Sequence, residues 1–330
     1  MKKRNYFKWA ITAFILLFLI IAVFQFDAEG MLCSLRNIPL WSVFLLIGLQ
    51  IVTQFLINLQ WLLVAKSFGA SINFIKMLYV NAQAEIIHVA PAGHIGCDVF
   101  RAVEINRVGG LSGGQSAAVV AIQKLFSLSA FFIISLVSIG FFIGQVPWLN
   151  DIFMQLLLYG FLIAILVLLG YVFIAPHKIL LFLNKKWHKD VRFFWVNKLR
   201  GFTMSSLNHV VYLKKNTGLF AKLTVIAVFI WTLYPLKLYL LAIQLLPDVG
   251  IVFIFAAAFL AYTIAMIPLF PGGLGGFEAT LVGLLVFMGF LHSGALVITV
   301  LFRFVTFWFV VLLSIIYVAL HKLVSYYSSR

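Results

Sequence analysis

Charge is scarce in this sequence. Asp, Glu, Lys and Arg supply 10% of the 330 residues, and only nine of them are acidic. A soluble domain of this size needs a charged, hydrated exterior, and the composition excludes one. Cysteine is scarcer still. Cys33 and Cys97 are too few for a disulfide framework and lack the spacing of a thiolate metal site. One is expected in an outside loop and the other near a polar break, so a bond between them is not expected. No glycine-rich run ends in Lys-Ser or Lys-Thr, which excludes a P-loop, and no HExxH pattern is present.

Apolar residues take the place of charge. They make up 64% of the chain, with 35 phenylalanines, and mean hydropathy is +1.12. Six runs, 9–26, 40–65, 117–143, 152–175, 219–246 and 294–320, are long and apolar. Each can cross a hydrocarbon core of about 30 Å, which takes roughly 20 helical residues. They are too long for sandwich strands and lack the alternation of an outer-membrane barrel, so the expected fold is an all-α polytopic membrane protein. The first run follows Lys2, Lys3 and Arg4 as a signal peptide would. It has no small-x-small cleavage site and is expected to remain as the first helix.

The net charge of +15 is unevenly placed. Basic residues precede the first run. A larger group, including Lys178, Lys185, Lys186, Arg192, Lys214 and Lys215, lies between the fourth and fifth, where Asp190 is the only acid. Excess Lys and Arg mark cytoplasmic loops and favour anionic lipid headgroups. No nucleic-acid-binding motif accompanies the charge, so nucleic acid is not an expected partner. Alternation from the N-terminus puts both termini in the cytoplasm, the loop with Asp27, Glu29 and Arg36 outside, and 176–218 inside as a basic loop. The expected location is the cell membrane, crossed many times.

Two further apolar segments, about 74–106 and 251–291, are each broken in the middle. The first break reads Pro91-Ala92-Gly93-His94-Ile95-Gly96-Cys97-Asp98, and the second Pro271-Gly272-Gly273-Leu274-Gly275-Gly276-Phe277-Glu278. Both are P-x-G-x-x-G-x-(D/E). A basic residue, Lys124 or Arg303, follows in the next long run at nearly equal spacing. The pattern predicts one domain over 1–330 built as an inverted repeat. Its halves are about 40–175 and 219–322, joined by 176–218, and each contains a re-entrant hairpin. Proline removes a backbone donor, and broken backbone at membrane depth must be buried in protein or face a wet cavity. A helix that restarts there aims free N–H groups and its positive dipole end at the cavity, which suits a phosphate. Interrupted segments at corresponding places in two inverted halves point to a transporter's substrate site.

The run Ile267-Pro268-Leu269-Phe270 through Glu278, followed by Arg303, resembles the signature of the flippase-like membrane domain of lysylphosphatidylglycerol synthases. Pro91 to Arg101, with Arg107, Gly109 and Lys124, is similar to that family's first block, departing from it at His94 and Cys97. The resemblance implies a domain that moves a lipid between leaflets. Fused relatives add a soluble aminoacyl-transferase domain, which this chain is expected to lack, so lipid aminoacylation is not implied. Stand-alone relatives are associated with aminoacyl lipids, isoprenoid-linked glycans and hopanoids, which leaves the substrate unfixed. The leading expectation is a translocase for a phospholipid or polyprenyl-linked lipid, with no cofactor and no catalytic constellation. Membrane lipids are its expected partners. A partner synthase or glycosyltransferase, and a second copy of the chain, are further candidates. The rival readings are an intramembrane lipid-modifying enzyme and a scaffold for a lipid or glycan synthase.

The residues expected at the headgroup are Pro91, Gly93, Gly96, Asp98, Arg101 and Lys124 in the first half. In the second they are Pro271, Gly272, Gly273, Gly276, Glu278 and Arg303. A charge at the bilayer centre costs about 2.5–3.5 kcal/mol on insertion scales. Lys124 and Arg303 therefore either hold a lipid phosphate or pair with Asp98 and Glu278, and the two roles are compatible. The two acids either compensate a helix dipole or act on a cationic headgroup or a proton. Arg101, Glu104 and Arg107 predict a charged helical stripe, with Arg107 at the surface. Glu85, His88 and His94 raise the question of a metal. They lack a second carboxylate at a fitting interval, so cavity lining is expected instead.

Overall fold

A computed structural model of the chain describes residues 28–89, 93–143, 152–186, 194–266 and 275–328. Every regular element among the described residues is helical. In chain order they are α1 (Ala28–Arg36), α2 (Leu40–Ser67), α3 (Phe74–His88), α4 (Gly93–Gly109) and α5 (Gly113–Ile143). Then come α6 (Ile152–Ile174), α7 (Pro176–Lys186), α8 (Phe194–Lys215), α9 (Thr217–Ala242) and α10 (Ile251–Ala265). The chain closes with α11 (Gly276–Phe287), α12 (His292–Arg303), a π-helical turn over Phe304–Trp308, and α13 (Phe309–Ser328).

Four stretches are long and apolar enough to cross a membrane: α2, the Gly113–Gly140 part of α5, α9, and the run His292–Val324 through α12 and α13. The end of α6 bends by 84° into α7. The chain is thus an all-α polytopic membrane protein. The expected run 9–26 lies outside the described residues. Polar caps start several helices. The Asn73 carboxamide accepts from Lys76 N–H at 2.9 Å and Asn216 from Leu219 N–H at 3.2 Å. Ser112 and Gln115 close a reciprocal capping box before α5, at 3.3 and 2.9 Å.

Two stretches expected as loops are helical. The outside segment with Glu29 and Arg36 forms α1, which also carries the exposed Cys33 and packs on α12. The basic stretch 176–218 contains α7 and α8 rather than a loop. Charge marks which side of the membrane a segment occupies, but it says nothing of period. In α8 the buried Leu207, Val210 and Leu213 recur at helical spacing beneath the basic end Lys214–Lys215.

The interrupted segments are hairpins: α3 packs against α4, and α10 against α11. Long apolar helices flank each hairpin: α2 before and α5 after the first, α9 before and α12 with α13 after the second. Each hairpin packs on its own half and also on the other, α3 on α13 and α10 on α5. Lipid tails are as apolar as leucine, so helices associate through close packing. The buried Ala256, Ala257, Ala258 and Ala261 of α10 allow that approach. One buried apolar cluster, with Phe131, Leu238, Phe259, Phe277 and Phe302, surrounds the second hairpin. Another, with Trp61, Met77, Ile105, Ile122 and Leu223, surrounds the first.

Candidate functional site

The first hairpin places its polar side chains by helical spacing. Asn81, Glu85 and His88 lie along one face of α3, and Cys97, Asp98 and Arg101 along one face of α4. Arg101 is where the two faces meet. Its Nη2 donates to Glu85 Oε1 at 2.6 Å, its Nη1 to Asp98 Oδ1 at 3.3 Å and to Cys97 Sγ at 3.5 Å, and its Nε to Asn81 Oδ1 at 3.1 Å. The guanidinium lies 5.0 Å from the centre of the Trp61 ring on α2. Asn81 is fixed in turn, donating to Asn58 Oδ1 at 2.8 Å. Lys124 of α5 reaches the other oxygen of Asp98 at 3.0 Å, and His88 Nδ1 lies 3.6 Å from Glu85.

The second hairpin repeats the theme with fewer parts. Gly275 turns the chain into α11 at φ +87°, a left-handed conformation that favours glycine. Its N–H donates to Glu278 Oε2 at 2.6 Å, and Glu278 Oε1 accepts from Arg303 Nε at 2.9 Å. The Arg303 guanidinium sits between two rings, 4.9 Å from the centre of Phe277 and 4.6 Å from that of Phe307. Phe307 belongs to the π-helical turn, a local widening that re-aims side chains in an otherwise continuous helix.

One contact joins the two clusters. The Phe307 ring that lies against Arg303 also meets the His88 ring edge-on, with centroids 5.8 Å apart. A continuous series of side chains, Arg303–Phe307–His88–Glu85–Arg101–Asp98–Lys124, therefore crosses from one half to the other.

Within this series the arginines are held differently from the acids and from Lys124, whose side chain is 41% exposed. The Arg101 and Arg303 side chains are 6% and 9% exposed, whereas Glu85, Asp98 and Glu278 are 23%, 22% and 27% exposed. Rings and amides fix the arginines to the wall, and the carboxylates lie toward the accessible side. An anion with oxygens of similar spacing can approach from that side and take the place of a carboxylate, because guanidinium binds carboxylate and phosphate by the same fork of donors.

Of the expected headgroup residues, Asp98, Arg101 and Lys124 fall in one cluster and Glu278 and Arg303 in the other. The expected pairs Lys124–Asp98 and Arg303–Glu278 are both formed. Gly93 and Gly276 open α4 and α11. Gly96 faces its own hairpin, where an added Cβ would meet Ile87 Cγ2 at 3.5 Å. Pro91, Pro271, Gly272 and Gly273 lie outside the described residues. The stripe of Arg101, Glu104 and Arg107 is present, with Arg107 exposed and bonded to Glu104 at 2.7 Å.

Glu85 takes a role beyond the expected cavity lining: it is an ion-pair partner of Arg101. Asn58, Trp61, Asn81 and Phe307 enter the site without having been expected there. The sequence signal for Asn81 is its position one turn before Glu85, on the same face.

A family model described as the lysylphosphatidylglycerol synthase TM region matches residues 7–314. The comparison with curated proteins gave no match.

Proposed function

We propose that this chain, which belongs to the family of the lysylphosphatidylglycerol synthase TM region, moves a phosphate-bearing lipid between the leaflets of the cell membrane. The substrate would be a phospholipid or a polyprenyl-linked lipid. The observation that carries this reading is the contact that links the two hairpins' clusters, made by His88 of α3 and by Phe307 of the π-helical turn. Their cation clusters share the Phe307–His88 wall, so one polar route has an anchored arginine from each half.

The barrier to lipid exchange is the transfer of a charged headgroup into hydrocarbon, where unpaired charge is expensive. The site lowers it by replacing water with fixed donors. The phosphate displaces Glu278 from Arg303, passes along the shared wall, and displaces Glu85 or Asp98 from Arg101 and Lys124. The released carboxylates can receive a cationic part of the headgroup. The acyl or prenyl tails stay in lipid throughout. In this account no bond of the lipid is made or broken.

The test is reconstitution of the full chain in phosphatidylcholine liposomes carrying NBD-labelled phosphatidylglycerol or an NBD-labelled polyprenyl phosphate. Leaflet exchange is read by dithionite quenching, and lipid identity by mass spectrometry. Exchange of unaltered lipid supports the proposal. A modified lipid would mean an enzyme. If neither lipid moves or changes, and activity requires an added synthase, the chain is a scaffold.

A further inference from the structure

Away from the ion-paired series, one charged side chain among the described residues is buried with neutral company. Lys237 of α9 is fully buried within a membrane-spanning helix. Its Nζ donates to Gln50 Oε1 and, at 3.1 Å, to Thr53 Oγ1, both on α2, and lies 4.4 Å from the centre of the Tyr234 ring. Thr53 directs its own hydrogen to Leu49 O at 2.7 Å, so its oxygen offers lone pairs alone. An amide oxygen, a hydroxyl oxygen and a ring face thus meet the three N–H bonds of an ammonium group.

None of these partners is an anion. Arg101, Lys124 and Arg303 each face a carboxylate. The helices packed closely on α9, namely α2, α5, α8, α10 and α12, contain no Asp or Glu anywhere along their lengths, and neither does α9. The titratable neighbours are Tyr234 and, on α10, Tyr262, with ring centroids 5.5 Å apart. On the other packed helices, Arg303 of α12 is held by Glu278 and Lys124 of α5 by Asp98. Lys66 of α2 and His209 of α8 lie at the far end of α2, where His209 bonds Ser67.

A carboxylate beside Lys237 would fix its proton. The cage actually present accommodates both forms of the amine. Gln50 accepts from the ammonium through Oε1, while its Nε2 is buried without a hydrogen-bond partner. Turning the amide over brings that unused N–H to the lone pair of a neutral amine. Pro235, inside the same helix and two residues away, lacks the N–H of a regular turn and provides a place to bend. The site also adjoins the headgroup route, through Tyr234, Tyr262 and then Phe277, whose ring lies 4.8 Å from that of Tyr262 and beneath Arg303.

We propose that Lys237 is a proton-binding site of the translocation cycle, filled from water when α2 and α9 part and emptied to water when they part on the other side, so that lipid movement follows the proton gradient. This rests on the lipid-transport reading above.

The experiment uses the full chain in liposomes loaded with the pH dye pyranine and carrying NBD-labelled phosphatidylglycerol, with lipid exchange and proton entry read separately. A one-unit pH step accelerates exchange by wild type, up to about tenfold for one proton per cycle. Lys237→Arg, which keeps the charge and cannot release its proton, exchanges lipid at equal pH and loses the acceleration. Lys237→Gln, always neutral, behaves the same way and decides the matter if the arginine variant fails to fold. Either variant responding to the step as wild type does overturns the proposal. Lys237-dependent proton entry without lipid exchange keeps the proton site and overturns the lipid reading. Lipid exchange by wild type that ignores the step, with no Lys237-dependent proton entry, keeps the lipid reading and overturns the proton site.

Discussion

The His88 ring meets the Phe307 ring edge-on, 5.8 Å between centroids, and the two residues come from opposite halves of the chain. Phe307 also supplies one of the two ring faces against Arg303. Phe307→Leu keeps an apolar side chain and removes the ring. A desolvated cation–π contact is worth about 2 kcal/mol, so lipid exchange should slow more than tenfold while the protein stays monodisperse. Exchange at the wild-type rate would show that the shared wall takes no part in transport.

The Arg303–Glu278 pair separates a structural role from a transport role. Glu278→Gln leaves a mostly buried guanidinium beside a neutral amide and should destabilise the protein by about 3 kcal/mol, the low end for breaking a buried pair. Adding Arg303→Gln removes the stranded charge and should recover part of that loss. Thermal unfolding in detergent measures both. The double variant should nonetheless fail to exchange lipid; a stable double variant with normal exchange would make the pair purely structural.

Glu85→Gln should affect Arg101 more than His88. The 2.6 Å bond to Arg101 Nη2 is the shorter of the two contacts, and Arg101 keeps Asp98 only at 3.3 Å. Asp98 then has Arg101 and Lys124 to itself. The expected result is tighter competition for an entering phosphate, seen as a several-fold higher lipid concentration for half-maximal exchange, with the maximal rate less affected.

The element types, the breaks and the ion pairs were readable because each rests on local chemistry. Apolar length gives a span, Pro and Gly give a break, and Asp98 or Glu278 beside a break finds the nearest basic side chain. What escaped was placed by tertiary packing. Nothing in the sequence brings Phe307 to His88, since they are joined by the packing of α3 against the last helices of the chain. Glu85 stands near His88 on α3, which points to cavity lining, while its strongest partner lies across the hairpin. Helices α7 and α8 were obscured by their charge. Lys237 stands within an apolar run, and its neutral cage is assembled from a second helix.

His209 gives a pH dependence where α8 meets the end of α2. Burial pushes its imidazole from the ordinary 6.5 down to about 4. It stacks on Phe68 at 3.5 Å and bonds Ser67 Oγ at 2.7 Å, beside a cleft of about 370 Å³ lined in part by Gln115 and Asn208. The opened segment binds a proton near pH 6.5 and the closed one only near 4. Docking of α8 is therefore complete above about pH 6.5, weakens as pH falls through that window, and changes no further below 4. Hydrogen exchange over 194–215 between pH 7.5 and 4.5, corrected for intrinsic rates, should show rising exposure that His209→Gln flattens. An identical profile in the variant would place the acid sensitivity elsewhere.

In the proposed cycle a lipid phosphate replaces a carboxylate on the anchored arginines, and an experimental structure in nanodiscs of phosphatidylglycerol shows whether it does. Phosphate density is expected within about 3 Å of the Arg303 guanidinium, with Glu278 withdrawn from Nε. Lipid density confined to the outer belt, with Arg303 still bonded to Glu278 and Arg101 to Glu85, would contradict it.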